Sequence, residues 1–286
     1  MPRLSVLMSA KDAAATIRSA MRSTLRAMPR DAELVVLDDG STDATGEIAD
    51  SLGDRRVQVL RQETNIGISA ARRRLLAETD SPLVAVMDAD DVSLPWRFAV
   101  QTRAVDAGAD LVVAPCVNFR RSPFRLRPGN PAPITAAAMP LHLVLGCPLV
   151  HPTLVAKRSA LEAVGGYRAD AVAEDYDLYL RAAAAGLRLV RVGTPVLAYR
   201  LHDSQTSGNA AYHRRADADL GLEASFQDFV RAEFGPEAAL LAVDDGLDDP
   251  AVARTLVRAE FDRRGLDRRQ RSLVARYFRH QRGEAL

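Results

Sequence analysis

The chain is short of several things, and each shortage excludes something. It holds two cysteines, Cys116 and Cys147, in 286 residues. They form no CxxC pair and cannot make a disulfide framework. They read as buried reduced thiols of a cytoplasmic protein. Charge of one sign is also missing: 38 basic residues face 37 acidic ones, a net charge of +1. A protein that binds nucleic acid by neutralising phosphates shows a basic excess, so no nucleic-acid partner is expected. Lysine is scarce. Lys11 and Lys157 are the only two, leaving 36 arginines, so mechanisms that need a lysine have few candidates. Long apolar runs are absent. The opening MPRLSVLMSAKDAA has too short an apolar stretch for a signal peptide. The run Met139–Val150 carries two prolines, a histidine and a glycine and is too short to span a bilayer. The expectation is a cytoplasmic protein with no transmembrane segment, peripheral membrane contact remaining open.

What is present is an ordinary globular mixture, 48% hydrophobic and 26% charged. At ~150 residues per domain the length suits one large domain or two smaller ones. Apolar runs at Leu4–Ser9, Glu33–Leu37, Val57–Arg61, Leu83–Met87 and Asp110–Ala114 read as strands. Helical spacing fills the gaps: Ala13–Ala27 with Asp12 as N-cap, a helix capped by Thr42 or Asp43 and running through Ser51, then Asn65–Glu78 and Pro95–Ala107. Nearly apolar strands alternating with helices predict an α/β sheet covered on both faces. Residues 118–135, rich in proline and arginine, interrupt the pattern as an excursion. A helix over Tyr176–Ala185 follows Glu174-Asp175, and strands are expected at Leu187–Val192 and Leu197–Arg200. From about Ala210 the chain reads as helical, broken by an acidic linker, Asp244–Asp249, before Pro250.

Two acidic clusters stand at strand ends: Asp38-Asp39-Gly40 and Asp88-Ala89-Asp90-Asp91. Ligands of open α/β sheets bind outside the carboxyl ends of strands, so both clusters can share one crevice. Carboxylates at i and i+2 past a strand can converge on a hard divalent cation. A bare DxD is equally a solvated acidic turn, and an Asp-Gly turn needs no function. Specificity comes from the ordered set: LVVLDDGSTD, NIGISAAR, VMDADD, GGY, EDYDLYLR and YRLHDSQTS.

That set resembles the family 2 glycosyltransferases, over roughly Leu4–Ser207. The resemblance implies a GT-A (Rossmann-like) fold with a mixed, mostly parallel sheet and helices on both faces. It divides the chain into a catalytic domain, 1–207, and a C-terminal helical region, 208–286. It implies an inverting glycosyltransferase that moves one sugar from a nucleotide-diphosphate sugar, a UDP-sugar first, to a hydroxyl acceptor on a glycan, cell-surface polysaccharide or metabolite, with Mn²⁺ or Mg²⁺ as cofactor. Asp39, with Asp38 beside it, matches the carboxylate that reads the nucleobase. Ser9 and Arg72 match nucleotide-holding positions. Asp88 would meet the ribose or a metal-bound water, Asp90 would ligate the metal, and His202 stands where some members place a histidine near metal and diphosphate. Asp175 matches the catalytic base. Glu174, His151 and Gly166 fall at the substrate pocket.

Departures narrow the resemblance. Many members place an aromatic residue that stacks on the base where this chain has Lys11, in Ser9-Ala10-Lys11-Asp12. The QxxRW motif and membrane helices of processive synthases are missing, and Trp96 is the single tryptophan, so transfer of one or few sugars is expected. Arg120, Arg121, Arg125 and Arg127 in the excursion suit a lid over a diphosphate, or simply a solvated loop. The C-terminal arginines suit a basic helix on anionic lipid, or packing, including packing in a homodimer. Two rival functions share these residues. VAVMDADDV fits the opening of a haloacid-dehalogenase-like phosphatase, with Lys157 as the only downstream lysine. A non-catalytic nucleotide-sugar-binding module on the same fold is the other.

Overall fold

The structure, a computed structural model, describes residues 1–120, 127–128, 131–202, 210–243 and 246–286. Arg121 and Arg125 of the excursion, the stretch Asp203–Ser207 and the first two residues of the acidic linker lie outside these.

The apolar runs form the strands they predict. In chain order the elements begin β1 (Leu4–Ala10), α1 (Ile17–Ala27), β2 (Ala32–Asp39), α2 (Thr45–Asp50), β3 (Val57–Gln62), α3 (Ile68–Ala77) and β4 (Leu83–Asp88). They continue with β5 (Val92–Ser93), α4 (Arg97–Asp106), β6 (Leu111–Val113), β7 (Cys116–Phe119), β8 (Arg127–Pro128) and α5 (Met139–Leu143). Then come β9 (Val155–Lys157), α6 (Arg158–Ala163), α7 (Glu174–Ala184), β10 (Leu189–Arg191) and β11 (Leu197–Arg200). Five helices complete the chain: α8 (Ala210–Asp217), α9 (Leu220–Phe234), α10 (Pro236–Val243), α11 (Pro250–Arg263) and α12 (Arg268–Arg282).

A seven-stranded sheet runs in the order β10-β6-β9-β4-β1-β2-β3. Its pairs are parallel except where β9 lies antiparallel between β4 and β6. Successive side chains of a strand point to opposite faces, and the core divides accordingly. Leu7, Val35, Leu37, Val84 and Val86 face one buried cluster. Val6, Met8, Leu34, Val36 and Met87 face the other, under Ile17 and Met21 of α1 and Phe98 of α4. A smaller sheet, β5-β11-β7-β8, flanks the first.

The helices after residue 210 do not stand apart from the sheet. Phe229 and Val230 of α9, Val257 of α11, and Val274 and Phe278 of α12 are wholly buried, in the same cluster as Leu7, Val35 and Leu178. Among the described residues no helix is long and apolar enough to cross a membrane. Cys116 is buried and Cys147 half-buried, both free thiols.

Three local expectations need correction. Asp12 does not cap α1, which starts four residues later than predicted and has no side-chain cap. Asp12 instead adopts a left-handed φ of 48° and accepts hydrogen bonds from the Thr42 N–H (2.8 Å) and hydroxyl (3.1 Å). Thr42 and Asp43 likewise do not cap α2, whose N-cap is Ala44; Asp43 accepts from Ala14 N–H (3.0 Å) and Thr45 N–H (3.0 Å), tying two loops together. The run Val155–Lys157, where no strand is expected, supplies strand β9 before α6 begins.

Candidate active site

The central strands bring the acids together. β1 and β4 pair so that Ser9 stands opposite Asp88, and β1 and β2 so that Ala10 stands opposite Asp38. The ladders thus continue into the polar residues, and the strands end side by side at one sheet edge. A cleft of about 1180 Å³ opens there. Its walls include Ser9, Arg72, Asp88, Asp90, His151, Glu174, Asp175 and His202, eight of the eleven residues singled out from sequence.

Arg72 organises this cleft. It rises from α3 with a side chain only 7% exposed. One guanidinium nitrogen bonds Glu174 and the other donates to Asp88 at 3.2 Å. Arg72 therefore bridges the end of β4 and the first turn of α7. Burial alone would drain its charge, but Glu174 and Asp88 hold its pKa above the ordinary arginine value. Ser69, one turn earlier on the same helix face, donates to the carbonyl of Ala171 at 2.6 Å and fixes the approach to α7.

The carboxyls that face one another here are not ordinary. Burial pushes Glu174 up to about 7, against the pull of Arg72. Burial also raises Asp175, with Arg72 and the Tyr176 N–H, which donates to it at 2.7 Å, opposing. Asp88 is raised by burial and by Asp90, with Arg72 opposing. Asp91, 1% exposed, is pushed well above the carboxylate range by burial and by Asp88 and Asp90.

Ligand oxygens of Asp88, Asp90 and Asp91 lie within 4.8 Å of one another. Asp91 accepts from the Arg200 N–H at 2.8 Å, while its second oxygen is buried without a hydrogen-bond partner. Three mutually repelling carboxyls and one orphaned oxygen are the donor set that a hard divalent cation satisfies, and a bound cation would reverse the upward shifts. His202 reaches the cluster because β11 pairs antiparallel with β5, and its Nε2 lies 2.9 Å from Asp90 Oδ2. Beneath the cluster Arg97 is fully buried. It donates to the carbonyls of Val86 (2.5 Å) and Pro152 (2.7 Å), and burial brings its pKa down to about 10, with Asp91 and Asp88 opposing.

Three expected residues do not line the cleft. Asp39 is 3% exposed and accepts from the N–H groups of Ile66 (2.9 Å) and Gly67 (3.2 Å). It shapes the cleft by holding the loop that does line it. Asp38 accepts from Ser41 N–H at 3.1 Å and sits against Gly46 and Arg61. Gly166 adopts a φ of +65° behind the wall, next to Leu76. The GGY motif bears on the cleft only indirectly, through buried Tyr167, whose hydroxyl bonds the lining residue His151. His151 bonds Tyr179 through Nδ1 and Tyr167 through Nε2, each at 2.9 Å, and burial holds its imidazole neutral.

Sequence reasoning missed Tyr212 and Arg215, which α8 adds to the cleft. Burial and the nearby Asp175 and Glu174 raise the Tyr212 phenol above its usual range. No motif announces either residue. Arg97, likewise missed, has only its place in the helix following DADD as a signal. Lys157 does not reach the cleft: its Nζ pairs with Asp110 at 2.8 Å. The phosphatase reading thereby loses its lysine.

A parallel sheet with an antiparallel insertion, strand-end acids and an acid-tipped helix across the cleft define a GT-A glycosyltransferase. The model of the family described as "Glycosyl transferase family 2" matches residues 5–165, and the chain belongs to that family. It is 47% identical over 95 residues to the succinoglycan biosynthesis protein ExoU of Rhizobium meliloti, a match covering 32% of this chain and 28% of that protein. It is 27% identical over 238 residues to the putative glycosyltransferase EpsE of Bacillus subtilis, covering 79% and 77%. The fold superposes on Staphylococcus aureus TarS 1–349 in complex with UDP-GlcNAc with a TM-score of 0.65 and 16% identity, covering 99% of this chain and 93% of that one.

Proposed function

We propose that the cleft binds a nucleotide-diphosphate sugar, a UDP-sugar first, and transfers its sugar to a hydroxyl acceptor with inversion. The observation that carries this reading is the Arg72 bridge, which fixes the Asp175 end of α7 opposite Asp88 and Asp90. Ser9 and Asp88 line the donor side. Asp90 and His202, with Asp88 adjacent, are the residues that would hold Mn²⁺ or Mg²⁺. Such an ion, when bound, neutralises charge on the departing diphosphate. Asp175 takes the proton of the acceptor hydroxyl. The acceptor oxygen forms its bond to the anomeric carbon as the bond to the diphosphate oxygen breaks, and that oxygen keeps the electron pair. A base with a raised pKa suits this step, because it holds the proton it takes better than an exposed aspartate does. Support for the donor comes from the family match and from the UDP-GlcNAc bound to TarS, which has the same fold.

The test separates binding from chemistry. A ligand that binds only the folded chain raises its melting temperature. Asp175→Asn should keep the melting shift given by UDP-sugars with Mn²⁺ and lose transfer by roughly 10²-fold or more. Wild-type turnover in Asp175→Asn would remove Asp175 from the role of base.

A further inference from the structure

The C-terminal region holds ten arginines between residues 251 and 286, and the structure sorts them into two groups. Five have carboxylate partners: Arg254 with Glu284, Arg263 and Arg264 with Glu260, Arg271 with Asp262, and Arg282 with Asp248. The other five are exposed and make no ion pair among the described residues: Arg258 on α11, and four on α12, Arg268, Arg269, Arg276 and Arg279. At 100° per residue these four fall, with the exposed His280, within an arc of roughly 120° on the helix. The opposite side of α12 is anchored: Val274 and Phe278 are buried in the core, and Leu273 is buried at the margin of the basic arc. α12 has no acidic residue of its own. The result is a rigid, straight row of uncompensated positive charge about 17 Å long.

We propose that this face of α12 docks on an anionic bilayer surface. Juxtaposed arginines on one face of a helix are each attracted to an anionic leaflet, and four of them act together. A lipid surface fits better than a nucleic acid because the same C-terminal region also exposes apolar side chains. The end of α12 is tied through Arg282 to the one-turn helix Gly246–Asp248, and α10, just before that turn, exposes Leu240 (69%) and Leu241 (40%). Apolar and basic side chains together are the composition of an interfacial surface. Docking here also sets how the cleft meets the membrane. The inner side of α12 presses on the segment that leads into the cleft: the Tyr277 ring lies 5.1 Å from that of His142, and that segment ends at Leu149 in the cleft wall.

Co-sedimentation of the full chain with vesicles tests this. Vesicles of phosphatidylcholine and phosphatidylglycerol in equal amounts should carry the protein down at low salt, and pure phosphatidylcholine should not. High salt should release it. The variant R268Q/R269Q/R276Q/R279Q should bind the anionic vesicles at least about tenfold more weakly. R22Q/R26Q/R30Q/R55Q, with the same change in net charge on exposed arginines elsewhere, should bind like wild type. Melting curves check that both variants fold, and the paired variant R276Q/R279Q replaces the quadruple one if it does not. No binding to anionic vesicles, equal loss in both quadruple variants, or arginine-dependent binding to single-stranded DNA in place of vesicles would each overturn the proposal.

Discussion

Arg72 holds two carboxylates on one guanidinium, and its charge has a calculable consequence for acid–base chemistry. A cation beside a carboxyl lowers its pKa. Arg72 does so for Glu174, Asp175 and Asp88 at once, against the burial that raises all three. Without the cation those pKa values rise further, and at neutral pH a larger fraction of the base carries a proton. Arg72→Gln should therefore move the acidic limb of kcat/KM to higher pH, by about one unit or more for a contact charge removed from a buried site. A pH–rate profile measures it. If Arg72 merely contacted the donor, the variant would raise the donor KM and leave the limb in place. The stability sign runs the same way for Glu174. Its pKa, raised from 4.5 to about 7, makes the folded state hold the proton more tightly. The stabilisation this gives is complete below the unfolded value and disappears as pH rises through about 7.

Elements tell more about what the sequence makes legible. LSVLMS, ELVVL and LVAVM are read directly as β1, β2 and β4, because a strand buried on both faces has no other composition available. Their ends run on into Asp38, Asp39 and Asp88 because hydrogen-bonded neighbours continue the ladder, which a local pattern does not show. β9 is three residues long and antiparallel; Val-Ala-Lys carries no signal of partners more than 40 positions away. The carboxylates of the cleft were legible as DADD and EDYD, but not the 102-residue span that Arg72 closes to Glu174. Nor was it legible that Asp38 and Asp39 spend their oxygens on backbone N–H groups, since a loop's path decides that. The start of α9 gives an element-scale prediction. Asp219 caps α9 by accepting from the Gly221 (3.0 Å) and Leu222 (3.2 Å) N–H groups, and it also accepts from Val172 N–H at 3.0 Å in the cleft wall. Asp219→Ala should cost about 1–2 kcal/mol in urea unfolding, and Asp219→Asn should retain most of the cap. A normal unfolding midpoint in Asp219→Ala would show that α9 does not need it.

At the scale of the whole molecule, the helices after residue 210 cover one face of the catalytic sheet and also enter the site. The arginine-rich pattern of this region reads as helical, but helical periodicity does not say what a helix docks against. Phe229, Val230, Val257, Val274 and Phe278 are each fully buried. Burial of a side chain of this size is worth about 1.5–3 kcal/mol, so five of them contribute roughly 10 kcal/mol before the entropy of ordering the helices is subtracted. That is comparable to the entire net stability of a typical domain, about 5–15 kcal/mol. A chain ending at residue 209 would expose the side of α7 that α9 covers, where Ser225 donates to buried Asp177 at 2.8 Å, and would lose Tyr212 and Arg215 from the cleft wall. It should show no cooperative thermal transition and should aggregate, although the family match ends well before this point, at residue 165. The 286-residue chain should unfold in one transition that UDP-sugar and Mn²⁺ move upward as a unit. A truncated chain that melted cooperatively and still responded to the donor would mean that the sheet supports itself, with the C-terminal helices reduced to a cover that the site can do without.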